Sequence, residues 1–305
     1  VEEYMKKLED LKQLVDKNNK MKLVVAAAEE ENVLIAVEKA YQDGLIVPVL
    51  VGDKAKISEY VEKNNLNFGD CEIIEASSFE ESAEKAVRMV NEGKGDFILK
   101  GLLDTAVLLK AVLNKEWGLR TGNQLSHVML YEIEAYHKLL MLTDGGMVTY
   151  PDLDTKVQLI NNAVEAAKGL KYETVKVACL AAKEKVNPKM PATVDAGFLK
   201  EMYQEGKFAE NVIVEGPMAL DLAISKDAAK IKKYESPVAG DADVLLMPNI
   251  EMGNGIGKAI TYFGNGIGAG VVMGAKAPIV LVSRADTFDS KYYSILFGSL
   301  IASVK

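Results

Sequence analysis

The chain reads as an α/β protein built on a mainly parallel sheet covered by helices on both sides. Three observations lead there. Short apolar, β-branched runs alternate with longer segments of helical periodicity from about residue 20 to the end. The connections between them are short and rich in Gly, Asp and Asn, as at Asp43-Gly44. A length of 305 residues exceeds one ordinary core and suits two α/β domains. Parallel strands need crossover helices, and those helices bury both faces of the sheet.

Residues 2–18 read as an amphipathic helix, with Leu8, Leu11, Leu14 and Val15 at helical spacing. A buried strand over 22–28, a helix over 31–42 and a strand over 46–51 form a βαβ unit. Segments 57–64, 72–75 and 80–92 continue the alternation, and a strand over 96–100 precedes a helix over about 104–114. A second series begins near Val128, with a strand over 139–142, the turn Asp144-Gly145-Gly146 and a long helix over about 154–169. A third holds a strand over 176–180, a helix over 194–205 and a strand over 212–214. A strand over 243–247, a glycine-rich helix, a closing strand over 279–282 and a helix to about Ser303 complete the chain. The loop Arg120–Ser126 marks a domain boundary near residue 130.

Hydrophobic residues make up 49% and charged residues 26%, the ordinary range for globular proteins. A net charge of −8 argues against a nucleic-acid surface or a polybasic membrane patch. An anionic substrate would therefore need locally gathered Arg, Lys and backbone N–H groups. The two cysteines, Cys71 and Cys179, give neither metal spacing nor a disulfide framework, and Cys179 reads as a buried structural thiol. His127 and His137 have no ligand cluster beside them, so no metal site is expected. No apolar run approaches a membrane span and no secretory signal is recognised, which makes the cytoplasm the expected location.

The segment from Pro278 to Lys291 carries the strongest chemical signal. An apolar run ends in Ser283-Arg284, and a helix with acidic residues at its start follows at once. In α/β sheets ligands bind beyond the carboxyl ends of strands, where the next helix offers free N–H groups to an anion. Arg284 has the planar fork that suits phosphate. Ser283 lacks the partner base and Gly-x-Ser-x-Gly elbow of a nucleophile, and is cast as a donor to developing negative charge. Of Asp286 and Asp289, one accepts a proton and the other serves the helix start; spacing does not choose between them. Lys110 is a lone cation in the apolar stretch 106–113, and Arg120 lies between two glycines in 118–122, so each is a candidate anion contact. Gly253-Asn254-Gly255-Ile256-Gly257-Lys258 and Gly264–Ala269 fail as phosphate or dinucleotide loops, because neither stands between a strand and a helix with the required spacing. What remains there is a strand end at Met247-Pro248-Asn249, followed by glycines at 253 and 255 that allow close backbone approach to a ligand.

Several segments together resemble the phosphate butyryltransferases. They are Lys100-Gly-Leu-Leu-Asp104-Thr105, Leu109-Lys110-Ala-Val-Leu-Asn114, Gly118-Leu-Arg120-Thr-Gly122 and Leu125-Ser126-His127-Val128. To these add Ala242–Glu251, Gly253-Asn254 and Val282-Ser283-Arg284-Ala-Asp286, in order along nearly the whole chain. The resemblance implies a two-domain, three-layer α/β/α sandwich like that of isocitrate and isopropylmalate dehydrogenases. It implies domains at 1–129 plus 271–305 and at 130–270, with the active site in a cleft between them. It also implies reversible transfer of a short-chain acyl group, butyryl with acetyl as the alternative, from acyl-CoA and phosphate to acyl phosphate and CoA, with no cofactor and a homodimeric or larger assembly. In that resemblance Arg284 binds phosphate and the carbonyl oxygen, Ser283 stabilises the tetrahedral state, and Asp289 is the closest match to the residue that takes the thiol proton. Lys110 stands near the place of a first-domain arginine of the acetyltransferase relatives, and Arg120 is the other candidate for that contact. Asn249, Gly253 and Asn254 join the substrate-binding set. Two rival readings are a metal-dependent hydroxy-acid dehydrogenase of the same fold and a non-catalytic small-molecule binding protein. The one close acidic pair in a suitable loop, Asp152 and Asp154, reads as helix capping.

Overall fold

A computed structural model describes residues 5–283 and 286–305. The chain forms two compact units. A terminal unit comprises Glu9–Asn123 and Ala269–Lys305, and a central unit comprises Gln124–Gly268 with the residues before Glu9. In chain order the first part of the terminal unit holds β1 (Met21–Ala26), α1 (Glu31–Gln42), β2 (Ile46–Gly52) and α2 (Lys54–Lys63). It continues with β3 (Glu72–Glu75), α3 (Phe79–Asn91), β4 (Phe97–Lys100) and α4 (Thr105–Val112). The central unit has β5 (Ser126–Glu132), β6 (Leu140–Thr143), α5 (Leu153–Lys168), β7 (Val175–Leu180) and α6 (Pro191–Gln204). It then has β8 (Val212–Met218), α7 (Leu220–Ile224), α8 (Lys226–Ile231), β9 (Val244–Leu246) and α9 (Ile250–Tyr262). The boundary at Gly268 falls inside β10 (Ile267–Met273), after which β11 (Ile279–Val280) and α10 (Phe288–Ala302) end the chain.

Strand order in the terminal unit is β3-β2-β1-β4-β11-β10. All neighbours are parallel except β10, which runs antiparallel to β11. Val25 of β1 pairs with Leu50 of β2 and Leu99 of β4, and Leu99 pairs in turn with Val280 of β11. These central strands are buried on both faces, which is why they read as unbroken apolar runs. In the central unit the order is β5-β6-β9-β7-β8, parallel apart from the β5–β6 pair.

The helix starts follow local chemistry. Glu30, Asp53 and Ser78 cap α1, α2 and α3, accepting N–H groups of Val33, Lys56 and Glu81. Glu81 reaches back to the Ser77 N–H at 2.7 Å, in the manner of a capping box. Asp152 caps α5 through the Thr155 N–H at 2.8 Å, the role its position in the sequence indicates. The last helix, α10, has no polar side: its residues from Lys291 to Ile301 are buried, Tyr293 only partly so. It packs on α1 and on β1, β4 and β11.

Two local expectations change. The helix expected over 2–18 is a 3-10 helix over Leu8–Leu14. A spacing of three places Leu8, Leu11 and Leu14 on one edge of a three-residue turn, so the same apolar pattern serves the tighter helix. Two short helices, α7 and α8, occupy a stretch with too few turns to show periodicity. The string Gly264–Ala269 leads into a strand, β10, and the string 253–258 lies inside α9, so neither has the setting of a phosphate loop.

The central unit buries a charge cluster at the start of β6 and β9. The Lys138 ammonium, fully buried, lies 2.5 Å from the equally buried Asp243 and donates to the Asp241 carbonyl at 2.9 Å. Asp241 also pairs with Lys176 at 2.5 Å and His137 at 2.6 Å. Burial works to raise the Asp241 carboxyl, but the hydrogen bonds from Lys176 and His137 and the charge of Lys138 outweigh it and hold it at about 2. Removing one member of a buried pair strands the other's charge, at about 3–5 kcal/mol. Lys138→Met is therefore expected to lower the unfolding free energy by about that amount in urea titrations. Because the folded Asp241 carboxyl sits below its ordinary value of 3.8, its contribution is complete above about pH 4 and lost as pH falls toward 2. Asp241→Asn should flatten that acid limb of the stability curve.

Candidate active site

Parallel strands β1, β2, β4 and β11 end on one edge of the terminal unit's sheet, and Ser283, Asp286 and Asp289 follow β11 there. β4 ends at Lys100-Gly101. An added Cβ on Gly101 would stand 2.0 Å from the Ala27 carbonyl oxygen, so the segments leaving β1 and β4 touch backbone to backbone. Gly101 and Leu102 also donate N–H groups to the carbonyls of Ala26 and Ala27, both at 2.8 Å. Lys100 is buried beneath this edge, its ammonium donating to the carbonyls of Gly101 and Leu103 at 3.1 Å each. After β1, Glu29 is 7% exposed, and its Oε2 has no hydrogen-bond partner among the described residues. It lies where a side chain on Gly52 would stand, 2.0 Å from that residue's ideal Cβ.

Ser283 leaves β11 at the same edge and is exposed. Its backbone N–H donates to Asp286 Oδ2 at 2.6 Å, and the Asp286 N–H returns a bond to the Ser283 carbonyl at 3.1 Å. Asp286 is thus bonded twice to Ser283, through its side chain and its main chain. Thr287 caps α10 through the Ser290 N–H at 3.2 Å, which leaves Asp289 exposed in the helix's first turn. Lys291, buried, donates to the Asp286 carbonyl at 2.6 Å and anchors the turn from below. Arg284 lies outside the described residues.

Lys110 and Arg120 are both exposed. Lys110 lines a groove between α3 and α4, together with Trp117. The Arg120 loop is fastened on either side: Leu119 is buried and accepts the Lys276 N–H at 2.9 Å, and the Thr121 hydroxyl donates to the Gly274 carbonyl at 2.5 Å.

The remaining candidates belong to the central unit and serve one another. Asn249 caps α9, accepting the Met252 N–H at 3.0 Å. An added Cβ on Gly253 would lie 2.3 Å from the Asp144 carbonyl oxygen, and Asn254 Nδ2 donates to the Gly145 carbonyl at 3.2 Å. Asp144, 2% exposed, accepts the N–H groups of His127, Gly146 and Met147 at 2.8, 2.7 and 2.8 Å. A carboxylate holding three backbone donors fixes the turn after β6, and α9 is docked on that turn through Gly253 and Asn254.

Sequence reasoning passes over Glu29, Lys100 and Asp144 as site-forming groups. Lys100 carries a visible signal, a charge ending the apolar run Phe97-Ile98-Leu99 and followed by glycine. Glu29 stands in the acidic run 29–31, and nothing in that run separates the buried member from the capping one. Cys71 and Cys179 fit no site: burial pushes the Cys71 thiol up to about 11 and the Cys179 thiol higher still.

The phosphate acetyl/butaryl transferase family model matches residues 7–88 and 76–298. The phosphate butyryltransferase of Clostridium acetobutylicum is 43% identical over 284 residues, covering 93% of this chain and 94% of that protein. The phosphate acetyltransferase of Thermotoga maritima is 40% identical over 281 residues, covering 92% and 95%. Among solved structures, a branched-chain phosphotransacylase from Enterococcus faecalis V583 superposes with a TM-score of 0.81 at 32% identity, covering 92% of this chain and 99% of that one. The chain belongs to the phosphate acetyl/butaryl transferase family.

Two glycines of α9 give a direct check on the docking of that helix. At Gly253 the clash is with backbone, so Gly253→Ala should cost about 1–3 kcal/mol, the usual range for overpacking. At Gly255 an added methyl meets nothing within 4 Å. Gly255→Ala should therefore raise stability by about 0.5–1 kcal/mol through helix propensity. Chemical denaturation of both variants reads the difference.

Proposed function

We propose that the protein catalyses reversible transfer of a short-chain acyl group between coenzyme A and inorganic phosphate, giving acyl phosphate and free CoA. Butyryl is the proposed acyl group. Family membership is the observation that carries the reaction, and the strand-end site of the terminal unit supplies residues suited to it. Acetyl is the second reading, favoured by the acetyltransferase among the relatives.

In the forward direction phosphate held by Arg284 attacks the thioester carbonyl carbon. A carbon–oxygen bond forms, the tetrahedral oxyanion takes a hydrogen bond from the Ser283 hydroxyl, and the carbon–sulfur bond breaks to release CoA as thiolate. In reverse, Asp289 accepts the proton of the CoA thiol. The bond from the Ser283 N–H to Asp286 supports a shaping role for Asp286, and the exposure of Asp289 supports giving it the proton. Lys110 and Arg120 are the proposed further contacts to the substrate's anionic groups. The packing of Asn249, Gly253 and Asn254 around the Asp144 turn supports a role in shaping the central unit's contribution to substrate binding. The reading needs neither metal nor redox cofactor, and it includes a homo-oligomeric assembly, a cytoplasmic location and no nucleic-acid or membrane partner.

The test is release of free thiol from butyryl-CoA, with and without phosphate and without added metal. Loss of one donor to an oxyanion costs about 10²–10³ in turnover, so Ser283→Ala should slow the enzyme by that factor and Arg284→Ala by at least as much. Losses below about tenfold in both would place the chemistry elsewhere. Parallel assays with acetyl-CoA rank the acyl groups, and faster turnover of acetyl-CoA would replace the butyryl assignment.

A further inference from the structure

We propose that Lys291 serves the acyl transfer by its charge: its ammonium, buried behind Ser283 and Asp286, holds positive potential where the CoA sulfur becomes a thiolate. The inference rests on the acyltransferase reading above and adds to it a positioning residue that touches no substrate. Nothing in the stability of α10 accounts for a lysine at this place.

Four lysines are buried among the described residues, and their partners differ with position. In the central unit Lys138 and Lys156 each have a carboxylate at 2.5 Å, Asp243 and Asp195 respectively. In the terminal unit carbonyls hold the ammonium groups: those of Gly101 and Leu103 for Lys100, and that of Asp286 for Lys291. Lys291 is 3% exposed, and among the described residues no carboxylate pairs with it. The other charged groups around it are engaged elsewhere. The Asp286 carboxylate accepts the Ser283 N–H, and Asp289 is exposed. Asp43 accepts the Tyr292 hydroxyl, Glu9 accepts that of Tyr293 at 2.9 Å, and Lys12 lies 5.0 Å from the centre of the Tyr292 ring.

Two contributions to stability oppose this placement. A buried charge without a counter-ion is costly. Lys291 also ends the first turn of α10, and its side chain folds back to the Asp286 carbonyl, which puts the cation at the positive end of the helix dipole. The reaction gives the charge a use. In the direction that forms acyl-CoA, the CoA thiol gives its proton to Asp289. The thiolate attacks the carbonyl carbon of the acyl phosphate, a carbon–sulfur bond forms, and the carbon–oxygen bond breaks to release phosphate. A thiol of about 8.5 and a carboxylate of about 4 are poorly matched for that proton transfer. A neighbouring cation lowers the thiol, as it does for reactive cysteines. The Lys291 ammonium is linked to Ser283 through Asp286 by two hydrogen bonds of 2.6 Å, and it acts from a buried position that solvent ions screen little. Its own proton stays in place throughout.

Lys291→Met and Lys291→Gln separate the charge from the anchoring bond. The Met variant loses a buried charge, so its thermal unfolding should come at the same temperature as the wild type's or higher. Its kcat for CoA with butyryl phosphate should nevertheless fall about tenfold, and the limb of the kcat–pH profile that reports the thiol should move up by about one pH unit. KM for CoA should stay the same, as expected for a group that acts on the transition state and touches no substrate. The Gln variant keeps a donor for the Asp286 carbonyl without the charge, and should show the same loss and the same shift. Wild-type kcat in the Gln variant would overturn the proposal. So would a loss in the Met variant that accompanies a lowered unfolding temperature and leaves the pH profile unmoved. Full activity of both variants beside an active wild type fails this proposal alone. If the wild type forms no acyl-CoA from CoA and either butyryl or acetyl phosphate, the acyltransferase reading has failed and this proposal falls with it.

Discussion

Parallel pairing of β1 with β4, and of β4 with β11, is the constraint on which the terminal unit depends. Parallel strands put all their carboxyl ends on one edge, and β11 is delivered there by a segment more than 170 residues beyond β4. The same pairing forces the first turns of the helices that follow toward that edge, with their unsatisfied N–H groups. Ser283, Lys100, Gly101 and Glu29 share a neighbourhood because of this, although nothing in their local sequences links them. The absence of a Cβ at Gly101 completes the arrangement by letting the segments after β1 and β4 touch.

Charge is handled locally in a chain of net charge −8. Many acidic groups are committed to helix starts or ion pairs: Glu30, Asp53 and Asp152 cap helices, and Asp241 and Asp243 engage Lys138 and Lys176. Asp144 is spent on backbone donors. Lys110 and Arg120 stay exposed at the surface of this acidic protein. Asp43 shows the same economy at the other face of α10. Burial would raise its carboxyl, yet hydrogen bonds from Lys39 and Tyr292 and the charge of Lys12 hold it below its ordinary range. That contact ties α10 to the C-terminal end of α1.

The placement of Asp286 and Asp289 shows how tertiary structure gives different surroundings to two carboxylates that spacing does not distinguish. Both stand within the first residues of a helix, where a carboxylate is favourable for reasons unrelated to chemistry. Thr287 takes the cap, so Asp286 turns back onto the Ser283 N–H and Asp289 is left facing solvent. Asn249, Gly253 and Asn254 show the reverse case. Their sequence pattern suits close approach to a ligand, and the closest approach within the central unit is to another turn of the same chain.

The sequence by itself determined much of the alternation of strands and helices, the parallel character of the sheet and the starts of α1, α3, α4 and α5 to within a residue, because burial on two faces and capping leave marks within a few residues. α1 falls on the residues its periodicity indicates, and the Ser283-Arg284 strand end is legible from an apolar run breaking into polar residues. Ordered motifs along the chain likewise revealed its family. Only the tertiary structure decided which member of the run 29–31 is buried, that Lys100 is turned beneath the strand ends, and that Trp117 and Lys110 share a groove. Those outcomes depend on neighbours brought from distant segments, and neither period nor propensity encodes which segments those will be. The short helices α7 and α8 and the 3-10 turn at Leu8–Leu14 escaped for the opposite reason: one or two turns hold too few residues to establish a period at all.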